Sequence, residues 1–138
     1  MSGARAKFLK LKLVKSNIKK ARVEADSEVM NVDCKSAIDK LKTRGESCDL
    51  IFMDPPYYEN LFVSTLEKIS DTKLLNEDGI IIADNVLFKG RVLGEYNEHK
   101  HRTAVNRLRE YLKTIKEDER LDSSLVDIGD GIAISVVK

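Results

Sequence analysis

The tetrapeptide Asp54-Pro55-Pro56-Tyr57 carries the most specific chemical signal in the sequence. The two prolines fix the backbone dihedrals and have no N–H, so backbone carbonyls and the Asp54 carboxylate can point outward as acceptors beside a rigidly held Tyr57. This arrangement suits a planar base with an exocyclic amine, because the ring stacks on the base and the acceptors bind the amine hydrogens. Those hydrogen bonds would favour a more nucleophilic nitrogen in the transition state. The motif therefore predicts chemistry at an amine, and a proline turn with a packed tyrosine is the simpler alternative.

Acidic residues end three predicted strands, at Asp33, Asp54 and Asp84. In open α/β sheets, ligands bind beyond the carboxyl ends of the strands. We therefore expect the three carboxylates to converge in one site. Aspartate at a strand end also serves as a turn residue or helix cap, so a structural role is the alternative.

The elements that must position these residues alternate between strand and helix. Strands are predicted where short apolar runs stop at turn residues, and helices where apolar residues recur every three or four positions. The predicted strands are 28–33, 48–53, 79–84, 121–128 and 132–137, and the predicted helices are 36–44, 61–75 and 99–119.

This alternation predicts an α/β fold with a mostly parallel sheet of about five strands. The runs at 48–53 and 79–84 are nearly continuous in apolar residues, as in strands that are buried on both faces. Gly129-Asp130-Gly131 joins the last two strands and indicates a carboxyl-terminal antiparallel hairpin.

The composition is that of a soluble protein. Its 138 residues, 42% hydrophobic and 34% charged, suit one domain of roughly 100–150 residues, which we place at 1–138. No apolar run reaches the about 20 residues of a membrane helix, so we expect a cytoplasmic protein without membrane contact. Cys34 and Cys48 suit reduced thiols rather than a disulfide framework. His99 and His101 have no partners that identify a metal site or a general base, and we interpret them as solvated residues at a helix start.

The net charge of +1 conceals a basic amino-terminal segment. Residues 1–23 contain eight basic residues and no acid, which leaves 16 basic and 23 acidic residues, a net charge of −7, over 24–138. Apolar residues at spacings of three and four predict an amphipathic helix over 4–23. Such a helix can bind RNA phosphates, anionic lipid or a partner's groove. Alternatively, it covers a sheet and leaves its lysines in water.

Residues from about 12 to 82 resemble a known family. The stretches KLVKSNIKKARVEADSEVMNVDC, CDLIFMDPPY and LLNEDGIII are similar to bacterial methyltransferases that modify a guanine exocyclic amine of small-subunit ribosomal RNA. The resemblance implies a Rossmann-like methyltransferase sheet, S-adenosylmethionine as cofactor and RNA as partner. It also implies that Asp54, Pro55 and Tyr57 hold the target base and that Asp33 and Cys34 lie near the cofactor adenine.

The pattern of that family also includes two earlier strands and a glycine-rich loop that holds the cofactor. None of the seven glycines, at positions 3, 45, 79, 90, 94, 129 and 131, forms such a loop near the start of the sequence. We therefore expect a sheet that lacks the first two strands, with 28–33 paired directly with 48–53 and the helix at 4–23 over exposed sheet. A homodimer, in which a second copy fills the gap, is the alternative.

From about residue 79 the resemblance changes. The stretches IIIADNVLFKGRVL, HKHRTAVNRLREYL and LDSSLVDIGDGIAISVVK look like divalent-metal-dependent O-methyltransferases of the catechol and caffeoyl-CoA type. That family would supply Asp54, Asp84 and Asn85 as oxygen ligands of Mg²⁺. Tyr57 stands where the family has a lysine. A structural Asp-Asn turn is the alternative to a metal site.

Two resemblances that meet near 79–85 suggest a recombined chain. Three functional hypotheses follow. The chain is an RNA methyltransferase acting on an exocyclic amine, a metal-dependent O-methyltransferase, or a folded domain that keeps methyltransferase parts without activity.

Overall fold

Helices and strands alternate along the chain. The structure is a computed structural model that describes residues 3–56, 58–95 and 97–138, with side chains in the first helix from residue 9 onward. Its elements are α1 (Gly3–Ala21), a short 3-10 helix (Glu24–Asp26), α2 (Cys34–Thr43), β1 (Cys48–Met53), α3 (Phe62–Thr72), β2 (Leu75–Asp84), α4 (His99–Glu117), β3 (Leu121–Val126) and β4 (Ile132–Val137). The chain divides into two units, residues 1–33 and 34–138. One domain over 1–138 stays a prediction.

A mixed four-stranded sheet forms the centre of the 34–138 unit. Its strand order is β1-β2-β4-β3. Strands β1 and β2 run parallel, and Met53 pairs with Ala83. The residue that follows each of these, Asp54 and Asp84, therefore lies at the same edge of the sheet. Strand β4 is antiparallel to both β2 and β3, which confirms the predicted hairpin.

The hydrophobic core lies against one face of this sheet. Alternate residues of the strands, such as Ile81, Ala83 and Ala133, are almost fully buried there. Helix α4 contributes a stripe whose members recur at helical spacing, namely Ala104, Val105, Leu108, Tyr111 and Ile115. The buried Ser135 hydroxyl is hydrogen-bonded to the Ser123 hydroxyl at 2.9 Å, so this polar group is satisfied inside the core.

Two expectations about the sheet are wrong. Residues 28–33 form no strand, so the sheet has four strands, and β1 is an edge strand rather than the neighbour of 28–33. Strand β1 is also not buried on both faces, because Leu50 and Phe52 are 58% and 62% exposed. Six residues are too few for periodicity to distinguish a strand from an extended connection. An apolar run alone also cannot show whether both faces are covered.

Among the described residues, no helix is both long and apolar enough to cross a bilayer.

Tyr111 carries a buried hydroxyl that offers a test of the core. Its side chain is fully buried and its ring packs on Phe62, with ring centroids 5.1 Å apart. Within the described residues, the hydroxyl has no hydrogen-bond partner, and burial raises the pKa of Tyr111 far above its usual value. Because an unsatisfied buried hydroxyl costs about 1–3 kcal/mol, Tyr111→Phe should raise the free energy of unfolding by about 1 kcal/mol in urea titrations.

The matched variant Tyr111→Leu removes the ring as well. It should lower the free energy of unfolding by about 2–4 kcal/mol, since it leaves a cavity beside Phe62. A loss of stability in Tyr111→Phe itself would show that the hydroxyl has a hydrogen-bond partner in solution.

Candidate functional site

Two acidic side chains and one amide meet at the carboxyl end of strands β1 and β2. The Asn85 side-chain amide donates a hydrogen bond from Nδ2 to Asp54 Oδ1 at 2.8 Å. The backbone N–H of Asn85 donates to Asp84 Oδ1, also at 2.8 Å. Asp54 is exposed, and Asp84 and Asn85 are half-buried. The edge of the sheet thus presents two carboxylates and one carboxamide, which we call the Asp54–Asp84–Asn85 triad.

The local backbone explains how Asn85 reaches across to β1. Its φ is +59°, in the left-handed region that asparagine tolerates better than most residues. The hydrogen bond from its backbone to Asp84 holds this turn. The Asp-Asn turn that we considered as an alternative to a ligand set is therefore present, and the same turn directs the amide toward Asp54.

The proline motif has a different local geometry from the expected row of outward acceptors. Pro55 is half-buried and Pro56 is exposed. The Pro56 carbonyl accepts a hydrogen bond from the Glu59 backbone at 3.2 Å, so a turn already uses this acceptor. Tyr57, the expected stacking residue, lies outside the described residues.

Asp33 and Cys34, the residues expected near a cofactor, lie at the boundary between the two units. Because 28–33 is not a strand, the expectation that Asp33 is a strand-end acid is wrong, and only Asp54 and Asp84 have that position. Cys34 begins α2, is exposed, and its Sγ lies 3.5 Å from Thr65 Oγ1 on α3.

The loop segment Val86–Lys89, which follows the triad, is hydrogen-bonded to the 129–131 turn. The backbone N–H groups of Val86 and Leu87 donate to the carbonyls of Gly131 and Asp130, at 3.2 and 2.9 Å. The Lys89 backbone N–H donates to the Asp130 carboxylate. The sequence identifies this turn only as a hairpin, whereas it also supports the loop that begins at Asn85.

The sequence gives no sign of an aromatic cluster that joins helix α4 to the loops that follow Asp54 and Asn85. Tyr58 Oη and His101 Nδ1 are 3.0 Å apart, and the Phe88 ring packs edge-on against His101 with centroids separated by 5.3 Å. His101 is half-buried, so its interpretation as a solvated residue is wrong, whereas His99 is exposed as expected. No spacing rule could have found this cluster, because its members lie on two loops and a helix.

No group of three His, Cys, Asp or Glu side chains with the geometry of a metal site occurs in the described ranges. The triad has only two such residues, with Asn85 as the third oxygen-bearing side chain.

The chain is similar to two groups of known proteins, O-methyltransferases and an rRNA methyltransferase candidate. A family model described as O-methyltransferase matches residues 8–138. The rRNA methyltransferase candidate YlbH of Bacillus subtilis is 32% identical over 78 residues, which are 56% of this chain and 42% of YlbH. The candidate caffeoyl-CoA O-methyltransferase 3 of Dictyostelium discoideum is 29% identical over 135 residues, with 87% of this chain and 51% of the relative covered. The chain thus spans about half the length of the curated relatives it matches.

Solved structures agree on the fold. The SAH-bound methyltransferase PaMTH1 of Podospora anserina superposes with a TM-score of 0.70 at 26% identity, over 90% of this chain and 54% of that chain. The O-methyltransferase of Bacillus cereus in complex with SAH has a TM-score of 0.76 at 23% identity, over 93% of this chain and 58% of that chain. The sheet is therefore a Rossmann-like methyltransferase sheet with four strands.

Proposed function

This chain belongs to the O-methyltransferase family, and from that premise we propose that it transfers a methyl group from S-adenosylmethionine to a hydroxyl oxygen, with the Asp54–Asp84–Asn85 triad at the reacting group. The hydrogen-bonded triad at the carboxyl edge of two parallel strands carries the proposal, since ligands bind at this edge in α/β sheets. In the reaction the substrate oxygen bonds to the methyl carbon, the sulfur–methyl bond breaks, and SAH leaves. The hydroxyl proton must go to a base.

Asp54 and Asp84 suit the removal of that proton. An ionised carboxylate can accept the hydroxyl proton as a general base, and Asp54 is exposed and so accessible to a substrate. Asn85 orients Asp54 through its amide. The structures of PaMTH1 and the Bacillus cereus enzyme with SAH support the choice of cofactor. Asp33 and Cys34 remain our proposed contacts to its adenine.

The donor chemistry of the triad also fits Mg²⁺, which prefers carboxylate and amide oxygens. Ligation by Asn85 would require its amide oxygen, rather than the Nδ2 group that now donates to Asp54, to face the carboxylates. A divalent cation bound there would polarise the substrate hydroxyl and lower its pKa.

Thermal unfolding with and without ligands tests the proposal. Cofactor at 100 times its dissociation constant should add about 2.7 kcal/mol to the free energy of unfolding, or about 9 °C in Tm for a domain of this length. Mg²⁺ should raise Tm further in the wild type and not in Asp84→Asn. Asp49→Asn is the control for a general charge effect, because the Asp49 carboxylate lies at the other end of β1.

Absence of any Tm shift at millimolar S-adenosylmethionine or SAH would reject the proposal. It would favour our third hypothesis, a folded domain without activity.

Methylation of an exocyclic amine on RNA is the second candidate function. It is supported by the Asp54-Pro55-Pro56-Tyr57 motif and by the similarity to YlbH over 78 residues. Mass spectrometry of methylated RNA distinguishes the two functions, because it reports whether the methyl group is on nitrogen or oxygen. Tyr57→Ala should abolish only the amine product, and Asp84→Asn only the oxygen product that depends on Mg²⁺.

We propose that α1 supplies the RNA contact in that case. Lys12, Lys15 and Lys19 are exposed and recur at helical spacing, and no acid occurs in 1–23. Each lysine–phosphate contact contributes about −0.7 to the slope of log affinity against log salt for single strands. Replacing the three lysines with Gln should therefore make the slope shallower by about 2 in fluorescence titrations with a single-stranded RNA.

The matched control replaces three exposed lysines of α2, which are Lys35, Lys40 and Lys42, with Gln. An equal change in slope for both triple variants would show that the contact is not specific to α1.

Our inference of a recombined chain also stays a proposal. A junction near 79–85 would fall at the carboxyl end of β2, where each parent would contribute an equivalent strand. A homodimer and a cytoplasmic location likewise stay predictions.

A further inference from the structure

Two loops begin at residues of the triad. The first loop, residues 54–56 and 58–61, begins with Asp54, and the second loop, residues 85–95 and 97–98, begins with Asn85. The hydrogen bond from Asn85 to Asp54 joins their first residues. A second set of contacts joins the same two loops to helix α4, and the proposed chemistry makes no use of it.

Helix α4 holds Tyr58 of the first loop at both its side chain and its backbone. The Tyr58 hydroxyl lies 3.0 Å from His101 Nδ1. The Arg107 guanidinium donates from Nη1 to the Tyr58 carbonyl at 2.9 Å. Because Tyr58 is 59% exposed, these contacts bury little area and add little to the core. Their main physical effect is to fix the position of the first loop.

Phe88 connects the second loop to the same cluster. Its ring packs edge-on against Tyr58 at 6.2 Å and against His101 at 5.3 Å, and the Arg91 guanidinium lies 5.6 Å from its centroid. Phe88 is buried with a φ of +48°, and Asn85 and Lys89 of the same loop also have positive φ. Such residues persist only where their surroundings determine the backbone, and they are common at functional sites.

The charges around His101 favour its neutral form. Burial and the positive charges of Arg91, Lys100 and Lys89 lower the pKa of His101, and Glu98 opposes them only in part. A neutral imidazole in the appropriate tautomer can accept a hydrogen bond at Nδ1 from the Tyr58 hydroxyl.

We propose that Tyr58 and His101 are positioning residues, whose contact sets the distance between Asp54 and Asn85 by holding the first loop against α4 and Phe88. The inference rests on the proposed function only in treating Asp54 and Asn85 as site residues. The contact itself exists without cofactor or substrate.

Solvent exchange of the Asn85 side-chain amide, measured by NMR on the full chain without cofactor, tests this proposal. Tyr58→Phe removes only the hydroxyl, and His101→Leu removes only the imidazole. Each should raise the exchange rate by about threefold to tenfold, the effect expected for loss of one hydrogen bond. His101→Gln should restore a rate within about twofold of the wild type, because its amide can still bond to Tyr58. Because Tyr58 is exposed, Tm should not change in Tyr58→Phe.

His99→Leu is the matched control, since His99 lies on the same helix, is exposed, and belongs to neither loop. An unchanged Asn85 exchange rate in Tyr58→Phe would overturn the proposal, and so would an equal rise in His99→Leu. A rise in His101→Gln as large as in His101→Leu would also overturn it, because the hydrogen bond would then be irrelevant. Failure to bind S-adenosylmethionine would reject the proposed function and leave this measurement unaffected.

Discussion

Replacing Asp54 with Asn should lower the rate of methyl transfer by about 100-fold or more, the usual cost of losing a general base. The substitution keeps the volume of the side chain and leaves an oxygen that can accept the bond from Asn85. It removes the negative charge that would bind a cation or accept the hydroxyl proton. Since Asp54 is exposed, the free energy of unfolding should change by less than about 0.5 kcal/mol.

Strand β1 contains its own control for this experiment. At its other end, Asp49 accepts a hydrogen bond from the Asn76 side chain at 2.8 Å, the same interaction as between Asn85 and Asp54. Asp49→Asn should therefore leave both methyl transfer and stability near the wild-type values. An equal loss of activity in the two variants, measured with a fixed excess of S-adenosylmethionine, would show that the effect reflects the strand and not the site.

Gly131→Ala should destabilise the protein by about 3 kcal/mol in chemical denaturation, through two costs at one position. Gly131 has a φ of +80°, which an alanine adopts with strain. A Cβ there would also overlap the buried Leu87 side chain, whose Cδ1 would lie only 2.7 Å away. The two residues cannot easily move apart, because backbone hydrogen bonds hold both. The Leu87 N–H donates to the Asp130 carbonyl, and the Gly131 carbonyl accepts from the Val86 N–H.

Gly129→Ala separates the two costs. Gly129 has a φ of +59°, and an added Cβ would lie in open space. Gly129→Ala should therefore lower the free energy of unfolding only through backbone strain, by about 1 kcal/mol. Similar losses for the two variants would mean that Leu87 moves aside and that the second loop is held less firmly than its contacts suggest.

Much of the 34–138 unit is predictable because local signals agree there. The apolar run at 48–53 stops at prolines that cannot continue a strand, and β1 has these bounds. The meeting of Asp54 with Asp84 and Asn85 also follows from the sequence, because the carboxyl ends of neighbouring parallel strands share an edge. Both sequence resemblances indicate a methyltransferase, and residues 8–138 match one O-methyltransferase family model.

The remaining features depend on contacts that no local pattern encodes. The stretch 28–33 has apolar residues of strand type, yet a strand requires a partner. In the described part of the chain, β1 pairs with β2 and not with this stretch. The contact between Tyr58 and His101 joins residues 43 positions apart. Periodicity can assign His101 to a helix, but it cannot show which loop packs against that helix.

The position of β4 between β2 and β3 has a kinetic consequence. Ile82 and Ile134, which are paired across β2 and β4, lie 52 positions apart in the chain, whereas β3 and β4 form a local hairpin. Non-local pairing is slow because loop closure precedes the gain from contacts. We therefore expect the hairpin to form early and to dock onto β2 late. Asp84 pairs with Ile132 of β4, and the second loop is hydrogen-bonded to the carbonyls of Asp130 and Gly131. The Asp54–Asp84–Asn85 triad would therefore be completed only when the hairpin docks onto β2.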